Sequence, residues 1–250
     1  MTGVLIIALH SIEKQTQVRF ETSTENFEWI LQMLSERGYK SITLGQFYNF
    51  TKGLGVLPEK PVIITSDDGY ESIYTNALPL VKKYGFSMTL FIALEYIAQI
   101  EKTRVVMSVN RMPPRRMLLW DEVKELSENG FDIQSHGVNH CNFTDLNLED
   151  SVWNLKGVKV IIENKTGKEC NFHAWCNGVV DNRLFDKMSE LGYKGFLKYS
   201  GGIENTDTVD WKNVSRVYIE DTILHPTNSV PEMSRELIEN RLFVKGVGDK

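Results

Sequence analysis

The sequence predicts an α/β chain whose parallel strands close into a barrel or a distorted barrel. Three observations carry this. Apolar, β-branched runs alternate with amphipathic helical stretches, the order that builds βαβ units and a parallel sheet. The ionisable residues of greatest interest fall at the C-terminal ends of those runs, where a barrel gathers its functional groups. No Gly-x-Gly-x-x-Gly follows any strand, which removes the main dinucleotide-binding argument for an open doubly wound sheet.

The elements follow in order. Val4 to Leu9 is the first strand and ends at His10. Phe27, Ile30, Leu31 and Leu34 have helical spacing after the capping cluster Thr22-Ser23-Thr24, and Gly38-Tyr39 ends that helix. Val62 to Thr65 is a strand that runs into Ser66-Asp67-Asp68-Gly69. Leu78 to Lys83 is a helix closed by Gly85, with a strand at Met88 to Ile92. Val123 and Leu126 mark a helix closed by Gly130, then Phe131-Asp132-Ile133 leads into Ser135-His136-Gly137-Val138-Asn139-His140. Leu184, Met188 and Leu191 predict a further helix before Gly192-Tyr193 and the strand at Phe196-Leu197. Glycine just past a helix is the expected cap, because it takes a left-handed conformation at little cost.

A chain of 250 residues, 42% hydrophobic, is long enough for one sizeable core, so a single domain over residues 1–250 is expected. The formal charge of −5 argues against a nucleic-acid partner. No apolar run approaches the roughly 20 residues that span a bilayer. The first ten residues have no basic start and no small-residue cleavage site, so they read as a strand and point to a cytoplasmic location. Cys141, Cys170 and Cys176 form no regular framework and are expected as thiols. Thr103 to Met117 carries Arg104, Arg111, Arg115 and Arg116 in a predicted long loop. Those arginines suit an anionic substrate group, unless the loop is simply a solvated basic one.

The chemistry is concentrated at two strand ends. One carboxylate and two imidazoles are a common divalent-metal set with positions left for water and substrate. A second carboxylate beside the first is placed to deprotonate that water. Either pair alone has a plainer reading, a turn for Asp67-Asp68-Gly69 and ordinary polar residues for His136 and His140; their co-occurrence is what points to a site.

Thr65-Ser66-Asp67-Asp68-Gly69 resembles the Thr-Phe-Asp-Asp-Gly motif of the polysaccharide deacetylases of carbohydrate esterase family 4, the NodB-homology group. Ser135-His136-Gly137-Val138-Asn139-His140 resembles that family's Ser-His-(Ser/Thr)-x-x-His motif. Leu9-His10-Ser11-Ile12 and Gly38 to Leu44 resemble the branch that acts on poly-N-acetylglucosamine and other surface glycans. The resemblance implies a distorted (β/α) barrel of about seven parallel strands, TIM-barrel-like, and metal-dependent removal of N-acetyl groups from a sugar. It implies Asp68, His136 and His140 as ligands of a divalent metal, zinc first, with cobalt, nickel, manganese or iron as alternatives. Asp67 is then the general base, Arg216 orients it, and His225 is the general acid, with Ile223 and Leu224 near the acetyl methyl.

At the third motif the chain departs from the pattern. Where the family has Ala-Tyr-Pro-Tyr-Gly, this chain has Ala174-Trp175-Cys176-Asn177-Gly178. Asn177 is left to offer its N–H to the oxyanion, and Trp175 and His10 are expected near the substrate. Plainer readings stand beside these: a core histidine at His10, core packing for Trp175 and Cys176, a loop residue at His225, a structural ion pair at Arg216. The expected substrate is an N-acetylated sugar, nucleotide-linked or lipid-linked, in O-antigen or capsule synthesis. A non-catalytic glycan-binding protein and a hydrolase of a non-sugar amide or cyclic imide are the alternatives.

Overall fold

A computed structural model describes residues 3–16, 20–107, 114–199, 203–221, 239–240 and 242–243. Among them, seven parallel strands close a barrel: β1 (Gly3–Leu9), β2 (Pro61–Asp68), β3 (Thr89–Ile92), β4 (Asp132–Ser135), β5 (Phe172–Ala174), β6 (Gly195–Tyr199) and β7 (Val214–Tyr218). The strands neighbour one another in chain order. Closure comes from β1, which pairs with β2 (Leu5 beside Val62) and with β7 (Ile7 beside Val217). Short strands Ile203–Asn205 and Lys40–Ser41 add on at β1 and β2.

Five α-helices are described: α1 (Thr24–Glu36), α2 (Leu44–Thr51), α3 (Leu78–Tyr84), α4 (Trp120–Glu128) and α5 (Leu148–Thr166). Ser23 caps α1 by accepting from the Asn26 N–H, and Thr43 with Gln46 forms a capping box on α2. Gly85 closes α3 in the left-handed conformation the sequence predicts. No described helix is long and apolar enough to cross a membrane.

The strand sequences are apolar on both faces because both faces are covered. Leu5, Ile7 and Leu9 of β1 pack in a cluster with Phe27, Leu31 and Val81 from the helices. Val4 and Ile6, on the alternate face, join Ile63, Phe91, Leu197 and Val214 in a second cluster. The period of two therefore assigns positions further along the strands: His10, Asp67, Tyr199 and Arg216 share the parity of that second cluster.

Two expectations are corrected. The stretch with Leu184, Met188 and Leu191 is a 3-10 turn, Asn182–Leu184, followed by further turns, not an α-helix. Its first bonds run three residues back, Leu184 N–H to Asp181 O and Lys187 N–H to Leu184 O, while Leu184 and Met188 still reach the core. Nor are the three described arginines of the predicted loop free cations. Arg104 forks onto Glu122 at 2.8 and 2.9 Å, Arg115 meets Glu21 at 2.6 Å, and Arg116 meets Glu71 at 2.8 Å. Arg111 lies outside the described residues, as do His225, Ile223 and Leu224.

Candidate active site

The C-terminal ends of β1, β2, β6 and β7 bring one buried polar group together. Arg216, fully buried, forks onto Asp67 with Nη1 to Oδ1 at 2.7 Å and Nη2 to Oδ2 at 2.9 Å. Nη1 also reaches Thr65 Oγ1 at 3.1 Å. The Tyr199 hydroxyl donates to Asp67 Oδ2 and lies 3.2 Å from His10 Nε2. With the phenol proton given to Asp67, His10 Nε2–H is the donor to Tyr199, which leaves His10 Nδ1 as a buried atom without a partner.

The electrostatics follow from burial and charge. Burial pushes the Asp67 carboxyl up, but the Arg216 guanidinium outweighs it and holds Asp67 at about 2. Burial, then Asp67, push the Tyr199 phenol well above its ordinary range, so it stays a donor. Burial lowers His10 and keeps the imidazole neutral.

Next to this group stands a second. Asp68 Oδ1 is 3.3 Å from His136 Nε2 and 3.1 Å from His140 Nε2. His136 Nδ1 donates to the Ala174 carbonyl at 2.7 Å, so Nε2 is the atom aimed at Asp68. Asp68 Oδ1 is buried and has no hydrogen-bond partner. Burial works against charge on His136, but Cys176, Asp67 and Asp68 outweigh it and hold its pKa well above the ordinary value. An imidazole lone pair and a carboxylate oxygen repel, so something positive belongs between them, a proton or a metal ion. The spacing, 3.1 and 3.3 Å, is close to what an ion sets: ligands at roughly 2.0–2.2 Å in a tetrahedral arrangement stand about 3.3–3.6 Å apart, so an ion would part the 3.1 Å pair slightly.

How do two consecutive residues of one strand serve a single site? Alternation sends neighbouring side chains to opposite faces. Asp68 breaks the alternation with a left-handed backbone, φ 74°. The next residue, Gly69, has φ 98°, and a Cβ there would meet Ile97 Cδ1 at 2.7 Å. Four described non-glycine residues have positive φ: Phe20, Asp68, His140 and Asn177. Asp68 and His140 face each other, Phe20 packs on the His10 ring at 5.0 Å, and Asn177 follows Cys176. Such strain clusters where the surrounding structure enforces a functional geometry.

The structure thus brings Asp67, Asp68, His136, His140, Arg216 and His10 together. Asn177 is exposed in the short turn Cys176–Gly178, its side chain donating to Asn142 at 2.9 Å. The expectation of a substrate contact at Trp175 is corrected: its ring is buried with Phe143, Leu184 and Phe196, a core residue under the loop. Sequence reasoning missed Tyr199, whose position at a strand end in line with Asp67 and Arg216 was the available signal.

Residues 55–196 match the family model described as polysaccharide deacetylase. The chain belongs to this family. It is 23% identical over 270 residues to the poly-beta-1,6-N-acetyl-D-glucosamine N-deacetylase of Escherichia coli (strain K12). That match covers 94% of this chain but only 38% of the relative, so the chain spans about two fifths of that protein's length. Among solved structures, the Streptococcus pyogenes deacetylase PplD in complex with acetate aligns with a TM-score of 0.78 at 19% identity, over 96% of this chain and 98% of that one. The structure of IcaB from Ammonifex degensii aligns with a TM-score of 0.73 at 18% identity, over 88% and 93%. These likenesses establish the barrel as the fold shared with deacetylases of this family.

Proposed function

We propose that the chain is a metal-dependent hydrolase that removes N-acetyl groups from an N-acetylated sugar unit of a surface polysaccharide. The observation that carries it is the orphaned Asp68 Oδ1, buried between two imidazole nitrogens and beside a separately charged Asp67. Asp68, His136 and His140 hold the ion; a divalent ion there supplies Lewis acidity and a bound water of lowered pKa. Zinc suits this donor set best.

Asp67 accepts the proton of the attacking water. It is ionised at neutral pH, and Arg216 and Tyr199 fix which lone pairs stay available. His10 holds the Tyr199 hydroxyl in place from behind. Asn177 is the proposed N–H donor to the developing oxyanion, and His225 the proposed acid for the departing amine.

The substrate reading rests on the family and on the relative whose name gives poly-N-acetylglucosamine as its substrate. Arg104, Arg115 and Arg116, the described arginines of the loop, are committed to carboxylates rather than held for a nucleotide diphosphate, and we propose a glycan unit, polymeric or lipid-linked. O-antigen or capsule assembly is the proposed setting.

The test is acetate release from N-acetylglucosamine oligomers of differing linkage, before and after chelation. Chelator-sensitive release, abolished in Asp67→Asn while metal content is kept, is the expected result. Stoichiometric metal with no acetate from any oligomer overturns the catalytic reading. It would favour a glycan-binding role, which the missing Pro-Tyr pair of the third motif makes the second choice.

A further inference from the structure

The departure at the third motif puts a thiol beside the metal ligands. Position by position, Cys176 stands where the resembled motif has proline, a residue with no donor atom to offer. The Cys176 side chain is buried, and its Sγ donates to the His136 carbonyl at 3.2 Å. Its sulfur and one ring nitrogen from each of His136 and His140 lie within 4.8 Å of one another. The orphaned Asp68 Oδ1 adjoins the same two rings. Of the other two cysteines, Cys170 is buried behind α5, where its carbonyl accepts from Lys159, and Cys141 is half-exposed.

We propose that Cys176 is a sulfur ligand of the ion held by Asp68, His136 and His140, making the resting site an Asp-His-His-Cys centre. This rests on the metal reading above and goes beyond the ligand set that the motifs imply. Coordination forms the metal–sulfur bond and breaks S–H; the proton leaves to solvent, and the contact with the His136 carbonyl is exchanged for the ion. Zinc–sulfur bonds run about 2.3 Å and zinc–nitrogen bonds about 2.0–2.1 Å. An ion shared by all three brings these atoms to about 3.3–3.6 Å of one another, from within 4.8 Å, and Asp68, which lies outside this group of three, must close toward the sulfur to complete the set.

Two consequences follow from softness. Thiolate selects zinc, cadmium and cobalt over magnesium and manganese, so the site discriminates more strongly than two imidazoles and a carboxylate would. A fourth protein ligand also occupies a position that an Asp-His-His site leaves to water, so substrate binding must either expand the coordination to five or displace the sulfur.

The experiment is cobalt substitution of the full chain, read by absorption. Bound Co(II) shows visible ligand-field bands whatever its donors, and a near-ultraviolet sulfur-to-cobalt charge-transfer band only if thiolate is bound. The wild type should show both; Cys176→Ser and Cys176→Ala should keep the visible bands and lose the charge-transfer band; Cys141→Ser should keep both. Competition should show the preference for cadmium over manganese falling about tenfold or more in Cys176→Ser. Visible bands in the wild type without a charge-transfer band overturn the sulfur ligand and leave the Asp-His-His reading standing. Failure of the wild type to bind cobalt, zinc or cadmium near one per chain overturns the metal reading itself, and the sulfur ligand with it.

Discussion

Replacing Arg216 with methionine keeps most of the side-chain length and removes the charge that forks onto Asp67. Both partners are fully buried, so solvent cannot take over the lost contact. In the native chain the drop of the Asp67 pKa from 3.8 to about 2 is worth about 2 kcal/mol at 1.36 kcal/mol per pH unit. That contribution is present above pH about 3.8 and is lost as the pH falls toward 2. Without Arg216, burial is the dominant influence left and the folded-state pKa rises above the unfolded one. The variant then carries a penalty at neutral pH that disappears on acidification, as the carboxyl protonates. Breaking a buried pair from one side costs about 3–5 kcal/mol. For a chain of this size that lowers the melting temperature by about 6–20 °C. Urea unfolding at pH 7 and pH 4, on metal-free protein, measures the difference between wild type and variant. It should shrink at pH 4, and Asp67→Asn combined with Arg216→Met should recover part of the loss. A difference below about 1 kcal/mol at pH 7, or one that grows on acidification, refutes the reasoning.

Tyr199→Phe removes the phenol shared by Asp67 and His10; acetate release should fall mainly through kcat, at a stability cost of about 1–2 kcal/mol. Asp68→Ala, His136→Ala and His140→Ala should each lose the metal, measured by elemental mass spectrometry, whereas Asp67→Asn should retain it. Gly69→Ala should destabilise the chain by about 1–3 kcal/mol, because its φ of 98° and the approach of Ile97 both exclude a Cβ; thermal melting checks this. Adding a chelator to metal-loaded protein should lower the melting temperature, and restoring zinc should recover it.

Much of this was legible along the chain because it depends on near neighbours. Glycine after an amphipathic run marks the end of α3, and a β-branched run marks β2, without reference to anything distant. The aspartate and histidine pairs are local motifs that need only the barrel to meet. What escaped depends on partners far away in sequence. Nothing near Arg104 or Arg115 announces that Glu122 and Glu21 will neutralise them. Tyr199 reads as an ordinary strand aromatic until β6 is set beside β7 and its hydroxyl meets a carboxylate 132 residues earlier. The spacing of Leu184 and Met188 suits the core in either geometry, so periodicity alone did not separate an α-helix from a run of turns.

The way the barrel closes has a consequence for synthesis. β1 leaves the ribosome well before β7, and its register with β7 waits for Val217 and Tyr218. Until then the backbone groups of Ile7 and Ala8 lie on the open edge of an apolar strand, and Asp67 stands without its guanidinium. Long-range pairing of this kind is slow and leaves nascent chains prone to sticking together. Translation pauses or truncations placed before residue 214 should therefore trap a nascent chain that chaperones must shield, and the charged core of the site should be among the last parts to form.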